Sequence, residues 1–380
     1  MQGVKFDSCF NELAYFHVCR PGSGLPPCLG HDLFEGIVSF DVASILKHFI
    51  KQEKWFTYTH LNRKIAQFKY LGSDKNNKPN QINPKGDGLG GQALQNWCLV
   101  RLLPLIIGDK IREPENEYWQ QFLRLRDIIE VVCAPQISEA QVAILNFTID
   151  EYLEARSNLF PDYRFKPKHH FLKHYPLLIL QYGPLIRTWT MRFESKHSYF
   201  KNCVRHLQNF KSICKTLAER RQLLQAYRCA GEYFAVNIKV KQAIPLHVDT
   251  YTDGVRDCIL RIGGSPADQI TYELIFRGTT YKTGNYLVIG FDGSSLKFGE
   301  IVFVLVRTNS EAYFVMQVHK SVFNTDLHVH SIDFREEKSY TCIKSENILD
   351  YYPLSAYGNK QHCQIPLKHA IPSAYFSVQI

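Results

Sequence analysis

Over the first 230 residues apolar side chains recur at helical spacing, whereas beyond about residue 235 they gather in short alternating runs. Asp32 to Ile50 sets Leu33, Ile37, Phe40, Ile45 and Phe49 on one broad stripe, which predicts an amphipathic helix. Gln92–Ile107 and Glu117–Val132 predict buried helices. Ser138 with Gln141 three residues on is a capping-box pattern. It opens a predicted helix whose core positions are Val142, Leu145, Ile149 and Leu153. Pro161, Pro167 and Pro176 punctuate the next stretch, and Met191–Leu207 is again predicted helical. The polar run from Gly72 to Gly91 predicts a surface loop.

The later runs, Tyr286–Ile289, Ile301–Val306 and Tyr313–Val318, are β-branched and bounded by turn residues such as Asp292-Gly293 and Thr308-Asn309-Ser310. They predict a small antiparallel β domain, expected as a partly open barrel. The fold class read from the chain is therefore α+β. A loop-rich segment 1–30 precedes a helical region 31–235, and a β-rich domain 236–380 follows.

Hydrophobic residues at 45% and charged residues at 21% place the chain among globular proteins rather than disordered ones. No apolar run reaches the roughly 18 residues a membrane helix needs. The best candidate, Trp97–Ile107, is interrupted by Arg101, so no membrane partner is expected. Eleven scattered cysteines without a signal peptide predict reduced thiols in a nuclear or intracellular protein that is not secreted.

Charge is unevenly placed. Residues 165–228 hold thirteen Lys and Arg against only Glu194 and Glu219, an excess of +11 in a chain of net +9, so the remainder sums to −2. Interleaved with Trp189, Tyr199 and Phe200, this segment fits a polyanion such as DNA, bound without sequence preference through its phosphates. The bland alternative is a solvated helix face that binds nothing.

The chemistry-bearing residues lie in the same segment. His169 and His170 precede His174 by five and four residues, spacings that let a pair face one metal ion. At about 100° per residue, Phe193, Phe200, Val204 and Leu207 fall on a buried stripe, with Glu194, His197, Lys201 and Arg205 beside it. One carboxylate among cations is the arrangement of metal-assisted phosphoryl transfer over DNA. The plainer reading makes Glu194 a surface carboxylate and the histidines edges of the core. Asp32 and Glu35, one turn apart, read either as metal ligands or as first-turn acids complementing a helix dipole.

Four segments together resemble transposase-like proteins of the CACTA/Mirage/Chapaev group of animal cut-and-paste elements. They are Phe10–Val18, Leu25–Gly36, Lys166–Phe171 and Arg192–Lys201, in order and spread over about residues 8–230. The resemblance implies an RNase H-like Asp-Asp-Glu domain that uses Mg²⁺ or Mn²⁺. It makes Glu194 the third catalytic carboxylate and His169 and His174 a zinc-binding pair. Cys28 and His31 match the group's Cys/Asp-x-x-His motif and would complete a zinc site if brought close. Arg192, Lys196, Lys201, Arg205, Lys211 and Lys215 are the expected DNA contacts.

In such proteins both catalytic aspartates lie N-terminal of the segment matched by Phe10–Val18, and here only nine residues precede Phe10. The expectation is a transposase-derived protein, domesticated or truncated, that is inactive as a nuclease and binds DNA non-specifically. Two other readings stand beside it. One is a nuclear interaction module whose β domain holds a protein partner. The other is a metal-dependent nuclease, rebuilt around Glu194 with Asp32 or another carboxylate, or completed by an upstream part.

Overall fold

The computed structural model describes residues 26–207, 210–231, 238–307, 311–332, 334, 337–359 and 363–372, without the side chains of 192–196. The chain divides into two compact units, 1–191 together with 367–380, and 192–366. The boundary read at 235 thus lies inside the second unit.

The first unit is helical. A π-helical segment, Gly30–Val38, runs directly into α1 (Ser39–Lys51). Leu33, Phe34, Ile37 and Val38 are all buried on it, and so is Asp32. There follow α2 (Tyr58–Gln67), α3 (Ala93–Ile107), α4 (Glu117–Val132), α5 (Glu139–Leu159), α6 (Pro167–Leu172) and α7 (Tyr175–Tyr182). Between α2 and α3 the expected loop holds one short 3₁₀ turn, Gly72–Asn76.

Local chemistry fixes several of these boundaries. Ser138 Oγ accepts the Gln141 amide, and the Gln141 side chain returns to the Ser138 amide, closing the capping box of α5. Asn116 caps α4 by accepting from Tyr118 and Trp119. Helix α3 continues through Pro104 to Ile107 and is apolar on nearly every side, the mark of a central helix. Arg101, which interrupts the run in sequence, is buried and forked onto Asp74 at 2.5 and 3.4 Å. On α5, Val142, Leu145 and Ile149 are buried as expected, but Tyr152 and Arg156 take the core positions further along in place of Leu153. The stretch near residue 370 belongs to this unit: Ala370 N–H donates to Glu130 O at 2.8 Å, and Leu367 and His369 are buried.

The second unit begins with α8 (Met191–Leu207) and α9 (Ile213–Ala230) and continues as antiparallel sheet. Its strands are β1 (Ile238–Val240), β2 (Ile244–Pro245), β3 (Gln269–Thr271), β4 (Glu273–Phe276), β5 (Thr279–Lys282), β6 (Tyr286–Asp292), β7 (Ser295–Val306), β8 (Ala312–Asn324), β9 (Val329–Ile332), β10 (Ser339–Lys344), β11 (Tyr357–Gly358) and β12 (Cys363–Ile365). One helix, α10 (Asp253–Arg261), lies between β2 and β3. The larger sheet runs β11-β12-β9-β8-β7-β3-β2, an open path among the described strands rather than a closed barrel. Strands β1, β4 and β5 form a separate small sheet.

The long β7–β8 pair explains why Ile301–Val306 is apolar throughout. Ile301 and Val304 join one core with Leu274, Leu287, Phe314 and Met316. Phe303 and Leu305 point the other way into a second core with Val255, Ile259 and Val315. Both faces are covered, so alternation disappears. The β6–β7 hairpin turns at Gly293, whose φ of +60° suits a residue without a side chain at the first turn position.

Candidate nucleic-acid interface

The basic segment is divided between the two units at residue 191. Its first third is built into the helical unit. Lys168 Nζ donates to the carbonyl of His31 at 2.5 Å, and Lys173 pairs with Asp150 at 3.1 Å. Lys166 sits 3.6 Å above the Phe40 ring, and Arg187 donates to the Pro135 carbonyl. Trp189, expected among the aromatics for a polyanion, is core instead. It is 6% exposed and stacked on Phe34 at 5.5 Å, with Trp97 alongside.

The charge that remains available is on α8 and α9. From His197 to Arg228 seven cations, Lys201, Arg205, Lys211, Lys215, Arg220, Arg221 and Arg228, face a single acid, Glu219. All but Arg221 are exposed. His197, Lys201 and Arg205 follow one another at four-residue spacing and share a shallow groove with Phe200 and Val204. Among the described residues Lys201 and Arg205 enter no ion pair. The Lys215–Glu219 pair, 3.7 Å apart and in water on both sides, neutralises little.

The expected apolar stripe on α8 is only partly covered. Phe200, Val204 and Leu207 are half-buried rather than buried. Phe193 and the catalytic candidate Glu194 have side chains outside the described residues, as do Arg192 and Lys196. Helix α9 was not legible in the sequence; it has no buried residue at all. Phe210, Leu223 and Tyr227 are each more than 60% exposed around it. The two helices act on one another electrostatically. The Tyr199 hydroxyl is pushed up by its hydrogen bond to Cys203, and Arg220 and Arg221 pull it back.

The zinc expectation fares differently. His169 is 1% exposed, and both ring nitrogens are engaged. Nδ1 accepts the Lys166 amide at 3.1 Å, so Nε2 carries the proton and donates to Asp41 Oδ2 at 3.0 Å. No lone pair is left for a metal. Cys28 Sγ lies 2.8 Å from Thr190 Oγ1; burial raises its thiol, but hydrogen bonds from Thr190 and from nearby backbone amides outweigh this and leave it lowered. His31 Nδ1 meets Glu35 at 2.9 Å. His174 faces His170 instead, Nε2 to Nε2 at 3.1 Å; desolvation and then the neighbouring imidazole lower its affinity for a proton. Among the described residues no three His, Cys, Asp or Glu side chains cluster to hold a metal. The structure therefore does not assemble Cys28, His31, His169 and His174 into one site.

Asp32 and Glu35 are also committed. Tyr175 donates to Asp32 at 2.5 Å, and Glu35 accepts the Ala93 amide at 3.1 Å. Burial raises the Asp32 carboxyl, opposed by Tyr175, Lys168 and His169.

The centre of the unit that sequence reasoning missed is Asp41. Its carboxylate accepts from Tyr152 Oη at 2.5 Å, from Arg156 Nε at 3.0 Å and from His169. The available signal was an aspartate inside an apolar stripe, and Tyr152 and Arg156 one turn apart on the facing helix.

No helix is long and apolar enough to cross a membrane among the described residues. No family model, no curated protein and no solved structure matches this chain.

Proposed function

We propose that this chain is a transposase-derived protein that binds DNA without sequence preference and, by itself, cuts no phosphodiester bond. The observation that carries the reading is the stretch 197–228 of α8 and α9, seven cations against one acid with Lys201 and Arg205 exposed at one-turn spacing. Lys201 and Arg205 enter no ion pair among the described residues, and such exposed cations are where phosphates replace counterions. The four-segment resemblance to CACTA/Mirage/Chapaev transposases supplies the ancestry.

Inactivity follows from the carboxylates. By the resemblance Glu194 is the one member of an Asp-Asp-Glu set within residues 1–380. Two-metal catalysis clusters several carboxylates around ions roughly 3.5–4 Å apart, and a single glutamate does not hold such a pair. Asp32, the substitute considered above, accepts from Tyr175 in a buried hydrogen bond.

Fluorescence polarisation with labelled duplexes of unrelated sequence, across roughly 50–200 mM salt, tests the binding. Similar affinities that fall linearly with log salt support the reading; no binding, or binding indifferent to salt, ends it. Plasmid incubated with Mn²⁺ should stay supercoiled. Nicking lost in Glu194→Gln would replace the proposal with the nuclease reading.

A further inference from the structure

The second unit carries a pair of thiols that sequence separation hides. Cys258 on α10 and Cys342 on β10 are 84 residues apart, yet their sulfurs lie 2.7 Å from each other. Two packing choices put them there. Gly254 stands one turn before Cys258, and a Cβ at that position would come within 2.9 Å of the Tyr340 ring, so the absent side chain lets α10 settle onto β10. Tyr340 and Cys342 are two residues apart on one strand and therefore on one face. Gly254 over Tyr340 thus sets Cys258 over Cys342.

The surroundings hold this placement firm. Val255 and Ile259 on α10 are buried in the core under Phe303, Leu305 and Val315, with Tyr340 and Cys342 packed at its edge. Strand β10 is paired along its length with β8, Cys342 opposite Val315. Cys258 is 3% exposed while Cys342 is half-buried. The two sulfurs are in direct contact.

We propose that Cys258 and Cys342 are an oxidation site, a dithiol that closes to an intramolecular disulfide with hydrogen peroxide or a comparable two-electron oxidant, stapling α10 to β10. One thiolate attacks a peroxide oxygen; the O–O bond breaks and leaves a sulfenic acid and hydroxide. The second sulfur then displaces hydroxide from the sulfenic sulfur and forms the S–S bond. Two sulfurs lose two electrons, the peroxide oxygens gain them, and with the two thiol protons they leave as two waters. The shared hydrogen bond lowers the Cys258 thiol, aided by Arg261 one turn on, which favours a thiolate within the pair.

The staple would close a loop of more than eighty residues, a length at which a cross-link restricts the unfolded chain strongly. The purified full chain, treated with peroxide and alkylated after denaturation, should yield a peptide pair linked through Cys258 and Cys342 and lighter by two hydrogens. Its unfolding midpoint should rise by several degrees and return on reduction; Cys342→Ser, which keeps the half-buried position filled, should show neither effect. Exposed Cys214 and Cys229 serve as internal controls, because neither faces another thiol among the described residues. If those two oxidise while Cys258 and Cys342 are still recovered fully alkylated, or are recovered as separate sulfinic acids, the proposal is wrong. The wild-type peptide map alone decides this even if the variant fails to fold.

Discussion

His169 and Asp41, 128 residues apart in the chain, meet in the interior of the helical unit through a 3.0 Å hydrogen bond from Nε2 to Oδ2. The same carboxylate holds Arg156, whose guanidinium is 1% exposed and has no other acid among the contacts that reach it. Removing one partner of a buried pair strands the other, at a cost of about 3–5 kcal/mol. Asp41→Ala should therefore shift the urea midpoint by a large part of the unit's stability. A loss below about 1 kcal/mol, the range of a simple exposed contact, would show that water reaches Arg156.

Because His169 has no free nitrogen, metal removal should leave the fold intact. Dialysis against a chelator is expected to change neither the far-UV circular dichroism nor the unfolding midpoint. A fall in midpoint that zinc restores would mean that His169 rotates away from Asp41 to bind it.

Asp32 gives a pH signature. Its carboxyl is raised above the ordinary value of 3.8 by burial. The folded state thus holds the proton more tightly than the unfolded one. The resulting stabilisation is present in acid below 3.8 and is lost as pH rises through the folded value. Asp32→Asn, which still accepts from Tyr175, should flatten that dependence and gain on the wild type above it. Tyr175→Phe should do the reverse, costing about 1–3 kcal/mol for a buried acceptor left bare. Equal pH profiles for all three proteins would refute the assignment.

On the α8–α9 surface the salt dependence is the readout. Each phosphate contact contributes about 0.9 to the slope of log affinity against log salt. Lys201→Ala with Arg205→Ala should lower that slope by nearly 2 and weaken binding alike on every sequence. An unchanged slope would place the contact elsewhere.

Gly30 lies against the Trp189 indole, where a Cβ would stand 2.6 Å from Nε1. Trp189 is packed between Phe34 and Trp97 and has little room to yield. Gly30→Ala should cost about 1–3 kcal/mol through overpacking, measured by thermal unfolding; a neutral result would indicate that the aromatic cluster shifts as a body.

Much of the architecture was legible, and the legible parts share a cause. The capping box at Ser138, the limits of α4 and the run Ile301–Val306 are local patterns in which neighbours in sequence decide the outcome. Helix α9 was not, because its apolar positions are diluted by charge and none is buried, so no periodic stripe marks it. The site was harder still. That Lys166, Lys168, Lys173 and Arg187 each meet a partner in the helical unit depends on Phe40, His31, Asp150 and Pro135, between 23 and 137 residues away. A charge count treats all thirteen cations as equal; four of them have such contacts within the helical unit. His169 failed as a ligand for a similar reason, since its companion Asp41 is a core residue that spacing rules do not see.

The docking of Ala370 onto Glu130 has a practical meaning for anyone dissecting the molecule. The helical body is threaded from both sides, and the β-rich unit is an excursion between two of its pieces. A shortened version that simply stops after the helices would forfeit Leu367 and His369 and leave a carbonyl on α4 unanswered. Joining residue 191 to 367 through a flexible linker keeps both stretches of the helical unit, which a stop codon would not.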